Sequence, residues 1–245
     1  MVEVGMGALA TFDAGAQSVQ ALISLESVYP DPPDRRDFPK VSALRGACTV
    51  LTVASFEKFL RDLFEEELDR LRVANISMSS LPRKLQVEAS FASLELAIKG
   101  DFSSKGMDRE LRLTNVLAAA KLLARDSFDP KALAATNSNP DSACVKRMFK
   151  SVGIPEVFQR CNSEFTKHWG RQEVSGFENQ KLDSILDSRH QVAHTAQAMH
   201  ISRPELSYNL RFIEVLARVL HAQLSQFVDE IIDGAQNPQV AHSSP

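Results

Sequence analysis

The sequence predicts an all-α protein, a helical bundle of about six to eight helices that ends in one long C-terminal helix. Three observations carry that expectation. Apolar residues recur at three- and four-residue intervals through most of the chain. Breaks rich in Pro, Gly, Asn and Asp separate these stretches at helix-like distances. No segment shows apolar residues alternating with polar ones between hairpin turns, as a half-buried strand would.

The helices follow in order. Residues 16–28 form the first, with Val19, Leu22, Ile23 and Leu25 apolar. Residues 29–40 hold four prolines among charges and read as a loop. A long helix covers residues 41–72, where Leu44, Cys48, Leu51, Phe56, Phe59 and Leu63 keep the helical period and Arg61, Asp62, Glu65 and Glu66 face outward. Pro82 opens a helix to residue 99, with Ser79 and Ser80 as candidate caps. Residues 107–126 form the next, and residues 128–141 read as a polar linker. Two short helices cover residues 142–152 and 155–169, and another begins near Gly176. The last has the form of a capping box, Ser202-Arg203-Pro204-Glu205, before an apolar stripe that runs from Leu210 to Ile231 and stops at Gly234.

The linker at 128–141 leaves room for a two-domain division, but the apolar stripes after it need the earlier helices to pack against. The expected organisation is therefore an N-terminal helix and Pro-rich loop, residues 1–40, lying on one helical domain, residues 41–234, with a flexible tail, residues 235–245.

At 44% hydrophobic and 24% charged residues, the composition is that of a globular protein rather than a disordered one. Fourteen of the seventeen aromatics are Phe, so the interior is expected to be Leu, Ala, Val and Phe. No stretch approaches the roughly 18 apolar residues that span a bilayer, and the first residues lack a secretory pattern. Cys48, Cys144 and Cys161 are far apart and form no paired metal or redox motif, which fits a reducing cytoplasm. A net charge of −3 argues against a protein that coats nucleic acid, since such binding rests on many cations, but leaves room for a local basic groove.

One polar cluster interrupts an apolar helix. Within the segment from Leu182 to Thr195, Leu182, Ile185, Leu186, Val192 and Ala193 mark the buried side, while Arg189, His190 and His194 stand among them. Three readings compete. The cluster is a solvated face with a hydrogen-bonded histidine. Alternatively, His190 and His194, four apart on one face, chelate a metal, with Asp187 as the nearest further ligand; the segment lacks the Glu of the zinc-protease helix. The third reading is acid–base chemistry on a phosphodiester. Cutting RNA without metal needs a base for the 2′-hydroxyl, an acid for the leaving 5′-oxygen and a cation for the phosphorane charge. Histidine titrates near neutrality, and arginine holds phosphate in a planar, bidentate grip. On one ideal helix, however, residues five apart point about 140° away from each other. Arg189 and His194 then converge only if the helix kinks, if the long arginine wraps round, or if a two-fold dimer brings two copies of the motif to one cleft.

Arg189-x4-His194, with polar His190 directly after the arginine, resembles the R-polar-x3-H signature of the HEPN superfamily (higher eukaryote and prokaryote nucleotide-binding domains). Its RiboL-PSP branch has an early helix similar to the stretch from Val50 to Leu63, with Glu57 in an apolar frame. It also has a mid-domain segment similar to Asn137-Ser138-Asn139-Pro140 followed by the run from Val145 to Ile154. The resemblance implies an HEPN-like α-helical domain that often dimerises and acts as a metal-independent endoribonuclease, in many relatives as a toxin or in anti-phage defence. Carried over, it implies Arg189 and His194 as catalytic residues and His190 as the supporting polar position, in place of the frequent Asn. Glu57 would buttress the site, and Asp183 and Asp187 would orient a catalytic residue. No cofactor or metal is implied. The expected partners are an RNA substrate, a second copy and an antitoxin or regulator. The alternatives are a non-catalytic module that binds RNA or protein, and a metal-dependent hydrolase.

Overall fold

A computed structural model describes residues 7–136 and 140–236. Among these, eight α-helices occur and no strand. They are α1 (Ala8–Glu26), α2 (Phe38–Val73), α3 (Arg83–Lys99), α4 (Arg109–Ala124), α5 (Ser142–Val152), α6 (Val157–Trp169), α7 (Phe177–Thr195) and α8 (Arg203–Gln236). The expected all-α class and the long closing helix are both present. Asn137, Ser138 and Asn139, which carry part of the family resemblance, and most of the expected tail (residues 237–245) lie outside the described residues.

Local chemistry accounts for where the elements depart from expectation. Helix α1 begins at Ala8 rather than near residue 16, because Ala8, Phe12, Ala16, Val19 and Ile23 form one buried stripe. Gly15 lies within it, and a Cβ there would lie 2.6 Å from the Ser55 hydroxyl, so the missing side chain permits close packing. Ser79 and Ser80 do not cap α3. They belong to a 3-10 turn, Met78–Ser80, in which the Ser79 amide and hydroxyl both donate to Asp126. Residues 128–141 are more than a polar linker, since Phe128, Ala132, Leu133 and Ala134 are buried around a second 3-10 turn, Pro130–Leu133. The α8 box is half made: the Ser202 hydroxyl accepts the Glu205 amide at 3.4 Å.

The chain forms two compact units. The first comprises Met1–Leu60, Thr136–Lys146 and Phe158–His221. Its interior is built by Phe12, Phe56 and Phe59, and by a cluster in which Phe165, Trp169 and Phe177 gather around Phe212 of α8 at centroid distances of 5.7–6.2 Å. The second comprises Arg61–Ala135, Arg147–Val157 and Ala222–Pro245. There Leu63, Phe64, Leu68, Leu71, Phe149 and Ile154 are fully buried, and Phe64 meets Phe149 edge-on at 5.2 Å. Arg70 pairs with Asp229 across the outer part of this unit. No helix among the described residues is long and apolar enough to cross a membrane.

Candidate functional site

Helix α7 carries the Arg189–His194 motif and is helical without interruption from Phe177 to Thr195. Leu182, Ile185, Leu186 and Val192 face the interior, and the helix stops where Ala196 turns left-handed at φ 53° and returns its amide to Val192 at 2.8 Å. No break in the helical pattern between Arg189 and His194 brings the two together. The two leave the helix about 140° apart in projection and about 7.5 Å apart along its axis. Arg189 and His190 are partly exposed and His194 is exposed. Among the described residues, none of these three side chains makes a hydrogen bond or an ion pair. All three are free to meet a ligand.

The supporting carboxylates are placed differently. Asp187 is exposed. Asp183 accepts the Ser142 amide and hydroxyl, both at 2.8 Å, and so occupies the start of α5. Glu57 is half-buried and accepts the Thr136 hydroxyl at 2.9 Å; the Thr136 carbonyl takes the Cys144 thiol at 3.3 Å. Glu57 and Asp183 thus hold the two ends of the segment from Thr136 to Ser142, and neither is hydrogen-bonded to Arg189, His190 or His194. No group of three or more His, Cys, Asp or Glu among the described residues is arranged to hold a metal ion.

What positions the motif comes largely from α2. Three residues within about one turn of its N-terminal part grip the end of α7 and the turn after it. The Ser42 hydroxyl accepts the Ala198 amide at 3.1 Å, Arg45 Nη1 donates to the Ile201 carbonyl at 2.9 Å, and a Cβ on Gly46 would lie 3.2 Å from Val192. Arg45 is 3% exposed and belongs to a buried ion cluster. Its guanidinium meets Glu26 at 2.7 Å and Asp31 at 2.9 Å, and Arg203 at the start of α8 bonds the other oxygen of Glu26. Burial works against the charge of Arg45, but hydrogen bonds to Asp31 and Glu26 outweigh it and hold the group above its ordinary pKa. Sequence reasoning missed this set. The available signal was Arg45 itself, which stands between Val41 and Cys48 at four- and three-residue spacing, on the buried phase of α2.

All three cysteines are free and buried. Burial pushes the Cys48 thiol up to about 11 and the Cys161 thiol up to about 12, so neither is a nucleophile at neutral pH.

The fold and motif define a class: an all-α chain that presents an unpaired Arg-x4-His on one helix, followed in the chain by a long closing helix. The family model described as RiboL-PSP-HEPN matches residues 16–226, and the chain belongs to that family. No match was found among the curated proteins or the solved structures.

Proposed function

We propose that this protein is a metal-independent endoribonuclease, with Arg189 and His194 as its catalytic residues. In this reading a histidine takes the 2′-hydroxyl proton, the 2′-oxygen attacks the adjacent phosphorus, and the 5′-oxygen leaves with a proton from a second acid. The products are a 2′,3′-cyclic phosphate and a 5′-hydroxyl. Arginine steadies the charge on the phosphorane. The observation that carries the proposal is that Arg189, His190 and His194 are unengaged by the protein, on an unbroken helix, in a chain of a HEPN-type family.

Because regular helical geometry sends Arg189 and His194 apart, the reading includes a two-fold dimer whose cleft receives the motif from both copies. His190, one turn before His194 on the same face, would orient the histidine or share in proton transfer. Of Asp183 and Asp187, Asp187 is the one left to tune it, since Asp183 is occupied at α5. In the cell the protein would act as a toxin or anti-phage effector restrained by a regulator, a role drawn from the family resemblance.

The test is direct. Purified protein incubated with tRNA and mRNA in EDTA should cut, and Arg189→Ala or His194→Ala should lower the rate at least about 100-fold. Activity that survives both substitutions, or that EDTA abolishes, overturns the assignment. Induced expression arresting growth, and its relief by His194→Ala, tests the toxin role.

A further inference from the structure

A second site opens at the far end of α7. A cavity of about 400 Å³ there is lined by Phe158, Gln159, Asn162, Gln172, Glu178 and Asn179, among others, all within the first unit. That volume lies at the lower end of the range for small-ligand sites. Glu178 is 5% exposed, with one carboxylate oxygen accepting the Asn162 amide at 3.0 Å. The side-chain carbonyl of Asn179 is buried and accepts from nothing among the described residues. Gly176, left-handed at φ 82°, leaves open space where a side chain would stand, and no side chain caps the first turn of α7.

The buried part of this cavity therefore holds an excess of acceptors, a carboxylate and an unpaired carbonyl. The exposed Gln159 and Gln172 supply amide donors at its rim, and Phe158 gives an apolar surface. A ligand that satisfies the set is flat, carries adjacent N–H donors and has an acceptor beside them. Guanine has that edge: N1–H and the N2 amino group side by side, with O6 next to them. Adenine and cytosine would turn a ring-nitrogen acceptor toward the carboxylate, and uracil offers a single N–H between two carbonyls.

We propose that this cavity is a guanine-binding subsite that selects RNA held at the Arg189–His194 site. Its RNA context rests on the ribonuclease reading. Glu178 precedes Arg189 by eleven residues on one unbroken helix, about 16 Å along the axis, so the bound base lies away from the phosphate that is cut.

The experiment is a titration of the intact protein with GMP, AMP and free arginine, by calorimetry and by the fluorescence of Trp169. This is the one tryptophan, and its indole donates at 2.8 Å to Glu173, which also lines the cavity. GMP should bind at least tenfold more tightly than AMP, and Glu178→Gln should weaken it at least tenfold. Because Glu178 is buried, Gln159→Ala at the exposed rim is the second variant; it should weaken GMP several-fold with thermal unfolding unchanged. Equal binding of GMP and AMP, no GMP binding, or arginine binding in its place overturns the proposal. Binding is read without cleavage, so the two readings fail separately. GMP bound by a protein that cuts no RNA upholds the subsite and removes the nuclease, and cutting without GMP binding does the reverse.

Discussion

Arg189 and His194 are five residues apart on one unbroken helix, and the proposed chemistry depends on that offset. A guanidinium is planar and permanently charged, and it grips two phosphate oxygens at once, which an ammonium does not. Arg189→Lys should therefore keep RNA binding but lower single-turnover cleavage at least about tenfold; full activity in the lysine variant would remove the bidentate role. Asp183 sits on the same helix with its oxygens committed to Ser142. Asp183→Ala should lower stability by about 1 kcal/mol, through loss of the bonds at the start of α5, and a shift in the urea midpoint reads it. The cysteines behave as core residues. Their folded pKa values are raised, so the unfolded chain loses thiol protons first as pH rises. Their contribution to stability is thus intact below about 9 and is lost as pH climbs toward 11 and 12. A thiol reagent at pH 8 should label neither Cys48 nor Cys161 in the native protein and all three cysteines after unfolding.

Among the elements, α2 has the larger structural task. Its N-terminal part satisfies the Ala198 amide and the Ile201 carbonyl, the backbone groups that follow the motif helix, while Gly46 lets the two helices approach. Removing Arg45 leaves Glu26, fully buried, with one of its two guanidinium partners gone. Arg45→Met should cost about 3–5 kcal/mol in thermal or chemical unfolding, far more than loss of an exposed pair such as Arg72 with Asp69. Gly46→Val should cost less but move Val192, and with it His194. A fall in cleavage rate larger than the fall in stability would separate the two effects.

For the whole molecule, the dimer is the decisive expectation. If two motifs share one cleft, specific activity should fall on dilution below the dimer dissociation constant. Mixing inactive Arg189→Ala with inactive His194→Ala copies should restore part of the activity, because one heterodimer still holds an arginine and a histidine. Linear dilution behaviour with no complementation would show a site complete within one chain. The net charge of −3 confines any RNA contact to local features such as Arg189 and its neighbours, so the salt dependence of binding should be shallow.

The sequence by itself determined the helices, because burying one face imposes a three- and four-residue period that is local and readable. Helix α5 and the body of α2, α7 and α8 fall where that period places them. It also determined the motif, six neighbouring residues on one helix. The start of α1 was not legible, because Gly15 weakens the local helix signal and its reason is Ser55, forty residues on. Only tertiary structure decided that α7 is unbroken at the motif, that Asp183 is spent on α5, and that Arg45 reaches Ile201 across 156 residues. Periodicity says that a face is buried and leaves open what it meets. A charge on that face finds its partner only when distant segments fold together.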